Sequence, residues 1–298
     1  METVEVFLST YNGEKYLKEQ IDSILNQKGV KVKLSVRDDG STDQTVEILR
    51  EYEKHNLITL YTGENLYLTK SFFELVNKSD KKSEYYAFSD QDDFWEENKL
   101  SKAIEQLHNV DANKPALYYS ALKIVDAKLN FIKILIRKNN EFSKALLINE
   151  VAGCTMVFNK AVLLLNNNYN GENARMHDHW FYLLCRGAGG YVYYDRKSYI
   201  LYRQHGNNTV GGVKNYQKRI SILKKSMINK PNERLKQIID YEKVSAGKIT
   251  SENQDLIVKL MNYQKSIWNK LNVITDKRFR LKGIKEVLLI GSILCGKF

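Results

Sequence analysis

Three aspartates lie within four residues, where a short aromatic run gives way to a helical pattern. Asp90, Asp92 and Asp93 follow Tyr85–Phe88, which has the character of a buried strand, and precede apolar residues at helical spacing. Carboxylates this close together repel one another unless water or a cation neutralises them. The cluster is therefore either a solvated acidic turn that caps the next helix or part of a site for a divalent cation.

Two more polar clusters follow predicted strands nearer the N-terminus. Residues 4–8 and 32–36 have the apolar content of strands, and each is followed directly by a polar loop. The carboxyl ends of parallel strands lie at one edge of a sheet, and ligands bind there in α/β proteins. The clusters are either ordinary loop residues or parts of one site, and their shared position favours one site. They contain Thr10, Tyr11 and Glu14 after the first strand, and Asp38 and Asp39 after the second.

The elements that must position these side chains alternate between strand and helix. Strand patterns at 4–8, 32–36, 58–61 and 85–88 are separated by amphipathic helical patterns at 14–26, 42–52 and 65–77. This rhythm predicts an α/β fold with a mostly parallel central sheet. Further strands are predicted at 116–120, 151–158, 191–194 and 199–203, with helices beginning at 161 and 177. Residues 126–150 have no clear period and form either a loop over the site or a hairpin.

Length and composition set broad limits. The chain has 298 residues and is 43% hydrophobic, which is enough for one large domain with an appendage. Cys154, Cys185 and Cys295 have neither disulfide nor zinc-ligand spacing, which suits a reducing cytoplasm. The N-terminal residues enter a strand pattern at once, so we expect no signal peptide. No apolar run approaches the ~20 residues that a membrane-spanning helix needs.

The positive charge is confined to the C-terminal part. Residues 1–210 carry 27 Lys and Arg against 28 Asp and Glu, whereas residues 211–298 carry 19 against 7. We therefore expect two regions, a domain at 1–212 and a helical, basic region at 213–298. Apolar stripes mark the helices of the second region: Ile220, Leu223 and Met227, then Leu256, Leu260, Tyr263 and Ile267.

The last 23 residues interleave basic and apolar side chains. Such a segment suits an amphipathic helix lying on an anionic membrane surface. The alternative is a helical subdomain that packs on the core and turns its basic face to water.

Four segments, taken together and in this order, resemble family 2 glycosyltransferases. They are residues 9–14, 38–43, 90–95 and 177–178, and the resemblance covers roughly residues 3–210. It implies the GT-A fold, a Rossmann-like arrangement with a mostly parallel central sheet. Residues 202–208, Tyr-Arg-Gln-His-Gly-Asn-Asn, are similar to the bacterial rhamnosyltransferase-like subgroup.

The resemblance implies a nucleotide site. Asp39 would accept a hydrogen bond from the N3–H of a pyrimidine base, with Asp38 beside it. Lys70 would reach the base or a phosphate, and Asp90 would lie near the nucleotide. The base and ribose would be lined by Thr10, Tyr11 and Glu14.

The resemblance also implies a metal site for Mg²⁺ or Mn²⁺. Asp90 and Asp92 match the metal-binding Asp-x-Asp element, and Asp93 either joins them or contacts the donor sugar. A hard cation offsets the charge that grows on a departing diphosphate, and carboxylates suit such cations. His205 either completes the metal shell or contacts phosphate, and the alternative is a loop histidine that bonds backbone.

Inverting sugar transfer needs a base that takes the proton of the acceptor hydroxyl. Asp178, at a predicted helix start, is the candidate. The family usually has Glu before this Asp, whereas this chain has His177, which we place on the sugar side of the site. Cys154 and Thr155 form either the floor of the acceptor pocket or a tight entry into a strand.

These features predict metal-dependent, inverting transfer of one sugar, with rhamnose a candidate, in bacterial cell-surface polysaccharide synthesis. The donor would be UDP- or dTDP-linked, and the acceptor a glycan or a lipid-linked sugar. The processive synthases' Gln-x-x-Arg-Trp element is absent from the sequence, which favours single transfer. We expect a cytoplasmic protein, peripheral on the inner face of the membrane.

Three other functions remain as alternatives. A sugar-phosphate nucleotidyltransferase needs a glycine-rich basic loop early in the chain, and residues 9–14 are not one. A catalytically inactive nucleotide-sugar-binding module would keep only the fold. Nucleic-acid binding is disfavoured because the loops of the α/β part are acidic and its net charge is near zero.

Overall fold

The computed structural model describes residues 1–138, 141–205 and 232–298. The predicted stripe of Ile220, Leu223 and Met227 lies outside the described residues, as do Gly206, Asn207 and Asn208 of the rhamnosyltransferase-like segment.

The first part of the chain alternates between strand and helix, as its periodicity predicts. The elements run in the order β1 (Thr3–Thr10), α1 (Leu17–Leu25), β2 (Lys31–Asp38), α2 (Thr45–Lys54), β3 (Thr59–Thr62), α3 (Tyr67–Lys78), β4 (Tyr85–Ser89), β5 (Phe94–Trp95) and α4 (Lys99–Leu107).

The next part mixes short strands and helices. It contains β6 (Ala116–Ser120), β7 (Leu122–Val125), β8 (Phe131–Leu135), α5 (Phe142–Ala145), β9 (Val157–Asn159), α6 (Lys160–Leu165), α7 (His177–Gly187), β10 (Tyr191–Asp195) and β11 (Ile200–Arg203). Because β7 and β8 pair antiparallel, part of the 126–150 segment is a hairpin.

Among the described residues, seven strands form the main sheet, in the order β10-β6-β9-β4-β1-β2-β3. All its pairings are parallel except those of β9, which runs antiparallel to both β4 and β6. The predicted mostly parallel α/β sheet is confirmed. A smaller sheet in the order β5-β11-β7-β8 lies beside it.

The main sheet carries a core on each face because neighbouring residues of a strand point to opposite sides. On β1, Val4, Val6 and Leu8 pack with one buried cluster that includes residues of α1 and α4. Phe7 points the other way, into a cluster that includes residues of α3 and α7. Both faces of the sheet are therefore covered, as a parallel sheet requires.

The predicted strand at 151–158 is largely wrong. Residues Gly153–Thr155 form one turn of 3₁₀ helix, and β9 begins only at Val157. The apolar run resembles a strand, but the Gly153 N–H donates to the Asp178 carboxylate at 2.9 Å. This contact, distant in sequence, turns the chain away from the sheet.

The C-terminal region is helical and packs on the core. It comprises α8 (Glu233–Val244), α9 (Ser251–Asn262), α10 (Ile267–Thr275) and α11 (Ile284–Leu294). Leu256, Leu260 and Tyr263 of the predicted stripe are buried in the larger cluster, whereas Ile267 is exposed because a new helix begins there. Within the described ranges, no helix is both long enough and apolar enough to cross a bilayer.

Candidate active site

The three polar clusters meet at one edge of the main sheet. In the parallel registers, Thr10 of β1 lies opposite Asp38 of β2, and Leu8 lies opposite Ser89 of β4. The loops that follow β1, β2 and β4 therefore start side by side, and the predicted convergence of the clusters at the strands' carboxyl ends is confirmed.

Asp38 joins two of these loops and is buried. Its Oδ1 accepts hydrogen bonds from the N–H groups of Gly40 and Ser41, at 3.2 and 2.9 Å. Its Oδ2 accepts from the hydroxyls of Thr10 and Ser41, at 3.1 and 2.5 Å. Both carboxylate oxygens and the Thr10 hydroxyl are thus engaged within the protein, where they fix the shape of the loops after β1 and β2.

Asp39 is held on one oxygen by a buried arginine. Its Oδ1 forms an ion pair with Arg37 Nη1 and accepts the Leu66 N–H at 3.0 Å. Arg37 is itself fixed, since its Nη2 donates to the Glu64 carbonyl at 2.9 Å and its Nε lies 3.2 Å from a Glu74 carboxylate oxygen. These contacts use Oδ1 and set the direction of Oδ2.

The loop after β1 forms hydrogen bonds with the loop after β4 and with the residues that precede α2. Gln91 accepts the Tyr11 N–H at 2.8 Å and donates to the Tyr11 carbonyl at 3.1 Å. The Glu14 carboxylate accepts the Gln44 N–H at 2.9 Å, which caps the approach to α2. The side chains of Tyr11 and Glu14 are exposed at the rim of the sheet edge.

Lys70 lies apart from the buried groups. It is exposed on α3 and forms an ion pair with Glu172 at 3.2 Å. The structure therefore places it on the outer rim rather than among the acidic side chains.

Asp92 and His205 are brought together from opposite ends of the domain. His205 Nε2 lies 2.7 Å from Asp92 Oδ2, and both side chains are partly exposed. The pairing depends on Arg203, which donates from Nε to the Asp92 carbonyl at 2.9 Å. Since Arg203 ends β11, the smaller sheet positions the loop that carries the aspartates.

Asp93 points inward and is buried. Its Oδ1 accepts the Arg203 N–H at 3.1 Å, whereas its buried Oδ2 has no hydrogen-bond partner among the described residues. Burial, together with the charges of Asp90 and Asp92, raises the pKa of Asp93 well above its usual range. The Nζ of Lys99, for which the described ranges offer no hydrogen-bond partner either, lies over the Trp95 ring.

Asp90, Asp93 and Cys154 have ligand atoms within 4.8 Å of one another. Burial and the charges of Asp92 and Asp178 raise the pKa of Asp90 to about 7. Burial also raises the pKa of the Cys154 thiol well above its usual range, so the thiol stays neutral. Cys154 is therefore an uncharged neighbour of Asp90 and Asp93.

The side chains of Asp90, Asp92 and His205 are chemically suited to a hard divalent cation. Crowded carboxylates whose pKa values are raised by burial and by one another are stabilised when a cation lies among them. Asp90 and Asp92 offer the oxygen ligands that Mg²⁺ and Mn²⁺ prefer, and His205 can add a nitrogen ligand.

Asp178 lies in the first turn of α7 and is buried. Its Oδ1 accepts from the His179 N–H at 2.6 Å and from the Asn149 side chain at 3.1 Å, and its Oδ2 accepts the Gly153 N–H at 2.9 Å. Burial raises the pKa of Asp178 to about 6, against the effect of these hydrogen bonds. The carboxylate is thus mostly ionised at pH 7 yet basic enough to accept a proton.

His177 is enclosed by aromatic rings. It stacks on Phe72 with a centroid separation of 3.9 Å and meets Phe88 edge-on at 4.7 Å. Burial lowers its pKa to about 3, so the ring is neutral, and within the described part of the chain neither ring nitrogen has a hydrogen-bond partner. A Cβ added to Gly153 would lie only 2.8 Å from His177 Nε2.

Thr155 closes the turn beside this group. Its hydroxyl donates to the Ala152 carbonyl at 2.8 Å, and its side chain is buried. Thr155 therefore stabilises the 3₁₀ turn of Gly153–Thr155 through a backbone contact.

The sequence reasoning missed several residues that support the site: Arg37, Gln91, Lys99 and Asn149. Arg37 left little signal, because β2 also contains Lys31 and Lys33 and the predicted strand ended at residue 36. Asn149 left none, because it lies in the segment without a clear period.

Comparisons with known proteins agree with this geometry. The family described as "Glycosyl transferase family 2" matches residues 5–164. The dTDP-rhamnosyl transferase RfbG of Shigella flexneri is 33% identical over 217 residues, which cover 68% of this chain and 73% of RfbG.

Two solved structures share the fold. S. aureus TarS 1-349 in complex with UDP-GlcNAc has a TM-score of 0.58 at 15% identity, covering 100% of this chain and 90% of that one. GalNAc-T7 with UDP, GalNAc and Mn²⁺ has a TM-score of 0.57 at 12% identity, covering 89% and 58%. The architecture of this chain is accordingly GT-A.

Proposed function

Because the chain belongs to glycosyl transferase family 2, we propose that it transfers a single sugar, with inversion, from a nucleoside diphosphate to an acceptor hydroxyl. The observation that carries this proposal is the arrangement at the sheet edge. A clamped aspartate and an Asp–His pair lie on neighbouring loops there, and Asp178 at the start of α7 is near enough for its charge to raise the pKa of Asp90.

The loops after β1 and β2 would bind the nucleotide. Arg37 and the Leu66 N–H hold Asp39 Oδ1, which leaves Oδ2 to accept the N3–H of uracil or thymine. Tyr11 and Glu14, exposed beside it, would contact the base and ribose. Lys70 is paired with Glu172 and would have to leave that ion pair to reach a phosphate.

Asp90, Asp92 and His205 would hold Mg²⁺ or Mn²⁺. When bound, the cation offsets the charge that develops on the departing diphosphate. Arg203 fixes the direction of this loop through the Asp92 carbonyl and the Asp93 carboxylate. The protein thus keeps its acidic groups in place before the donor arrives, which lowers the cost of organising them.

Asp178 would remove the proton from the acceptor hydroxyl as that oxygen attacks the anomeric carbon. The carboxylate is held by three donors, so its direction is set before the acceptor binds. His177 is neutral and buried among aromatic rings, so it would support the position of Asp178 by packing and would add no charge to the site.

The relatives suggest the first donors to test. RfbG is named a dTDP-rhamnosyl transferase, and a structural neighbour binds UDP-GlcNAc. We propose a dTDP- or UDP-linked donor and a glycan or lipid-linked acceptor, used in cell-surface polysaccharide synthesis. The basic C-terminal region supports a location on the inner face of the cytoplasmic membrane.

A donor screen tests the proposal. Purified protein is incubated with several dTDP- and UDP-sugars and a panel of acceptor glycosides, with Mn²⁺ or with a chelator, and the products are identified by mass spectrometry. We expect one donor to release its nucleoside diphosphate only with metal present, and NMR of the glycoside to show an inverted anomer. Failure of every donor to react with Mn²⁺, or retention of the anomeric configuration, would contradict the proposal.

A further inference from the structure

The last two helices expose apolar side chains at helical spacing. On α11, Ile284, Val287 and Leu294 share one side, and Gly291 between them has open space around it. The opposite side of α11 packs Leu289 and Ile293 into the core. The helix is therefore apolar on two sides, and only one of them is buried by the described residues.

Helix α10 continues this exposed surface. Trp268 is 72% exposed, and its neighbours Ile267 and Leu271 are exposed as well. Lys270 Nζ donates to the Leu294 carbonyl at 2.7 Å, which joins the two helices at that end. We call the six exposed apolar residues of these helices the α10–α11 face: Ile267, Trp268, Leu271, Ile284, Val287 and Leu294.

The face lies within a strongly basic segment. Residues 263–298 carry eight Lys and Arg but only two acidic residues. Both of those are engaged inside the segment or with α9, since Asp276 pairs with Arg278 and Lys259, and Glu286 with Arg280. The remaining cations are Lys265, Lys270, Lys277, Lys282, Lys285 and Lys297.

We propose that the α10–α11 face is a docking surface for an anionic lipid bilayer. A bilayer offers both an apolar layer for Trp268 and Val287 and negative headgroups for the surrounding lysines. A second copy of this chain fits less well, because two such faces would bring like charges together.

Helix α11 is linked to the proposed base. Lys285 of α11 pairs with Glu150 at 2.9 Å, and the neighbouring Asn149 donates to the Asp178 carboxylate. A bilayer bound by α11 would then bring a lipid-linked acceptor toward Asp178. This consequence, that the acceptor is lipid-linked, rests on the proposed function, whereas membrane binding does not.

Trp268 allows a direct test, because Trp95 and Trp180 are almost fully buried. The full chain is titrated with vesicles of phosphatidylcholine alone or mixed equally with phosphatidylglycerol, and tryptophan emission is followed. We expect a blue shift with the anionic vesicles, reversed by salt, and quenching by brominated lipid. Trp268→Phe should abolish the shift.

Two variants and a matched control isolate the face. Val287→Asp puts a charge on an exposed position and should abolish vesicle binding, while Lys282→Gln should weaken it about fivefold, the effect of one lysine near a charged surface. Leu57→Asp, at an exposed apolar residue outside this region, should bind as the wild type does.

Several outcomes would overturn the proposal: no shift with anionic vesicles, equal binding by Val287→Asp, or light scattering that shows a dimer formed through the face without lipid. Donor turnover is measured separately, without vesicles, for the wild type and Val287→Asp. Vesicle binding without any turnover would refute the proposed function and leave the docking surface intact.

Discussion

Replacement of Asp178 by Asn removes the proposed base while keeping the size of the side chain. The Asp178 carboxylate has two oxygens, and both accept hydrogen bonds. An amide has one oxygen, so its NH₂ group must face either the Gly153 N–H or the donors from Asn149 and His179. The substitution therefore also changes buried hydrogen bonds and, with them, the free energy of unfolding.

Two effects on stability oppose each other. A donor facing a donor in a buried site costs about 1–3 kcal/mol. Against this, burial raises the pKa of Asp178 from 3.8 to about 6, so the folded state takes up a proton more readily than the unfolded chain between those values. The ionised form thus costs the folded protein roughly 3 kcal/mol above pH 6, and a neutral Asn avoids that cost. The net change should stay within about 2 kcal/mol, or a few degrees in Tm.

Transfer should fall far more than stability. Loss of a positioned general base lowers the rate by about 10²–10⁴-fold. In the wild type, kcat/KM should fall as pH drops below about 6, because the carboxylate becomes protonated, and this limb should vanish from the residual activity of the variant. Calorimetry with UDP and Mn²⁺ should show nucleotide binding close to that of the wild type.

The assays are steady-state transfer over a pH series, thermal unfolding and nucleotide titration on the same preparations. Full turnover by Asp178→Asn would remove Asp178 as the base. A large fall in Tm with loss of nucleotide binding would show that the side chain acts through the fold instead.

Two other substitutions test the groups that hold the site. Arg37→Met leaves the Asp39 carboxylate without its ion pair. UDP affinity measured by calorimetry should fall about 10–100-fold, the value of a charged hydrogen bond, with little change in the transfer rate at saturating donor. Unchanged affinity would show that the Arg37–Asp39 ion pair has no role in binding. Gly153→Ala places a Cβ 2.8 Å from His177 Nε2 and 3.2 Å from Asp178 Cβ. We expect kcat to fall and the free energy of unfolding to drop by about 1–3 kcal/mol, while UDP affinity is retained. A variant with wild-type kcat would contradict the tight fit.

The sequence predicted the order of strands and helices in the first 110 residues because local periodicity determines it. The same reasoning placed the Asp38 and Asp90 regions at one site, since strand ends can be read from short segments, whereas Asp178 was assigned to that site from the resemblance to family 2 glycosyltransferases. What failed depends on long-range contacts. The strand predicted at 151–158 is interrupted because Gly153 bonds a carboxylate 25 residues away.

Roles within each cluster were also beyond local reading. Asp38 and Asp39 are adjacent and have the same side chain, yet Asp38 accepts hydrogen bonds from its own loop and Asp39 forms an ion pair with Arg37. Ile267 fits a buried stripe by spacing alone, but a helix boundary at Ser266 turns it to the surface. Such differences follow from tertiary packing, which no short pattern contains.

We propose that acidic side chains at one sheet edge hold a cation beneath a nucleoside diphosphate. Titration of UDP and dTDP into the wild type and Asp92→Ala, each with Mn²⁺ or with a chelator, tests this most directly. We predict tight binding of one nucleotide by the wild type only when Mn²⁺ is present, and loss of that metal dependence in Asp92→Ala. Equal affinity of both proteins under both conditions would contradict the account.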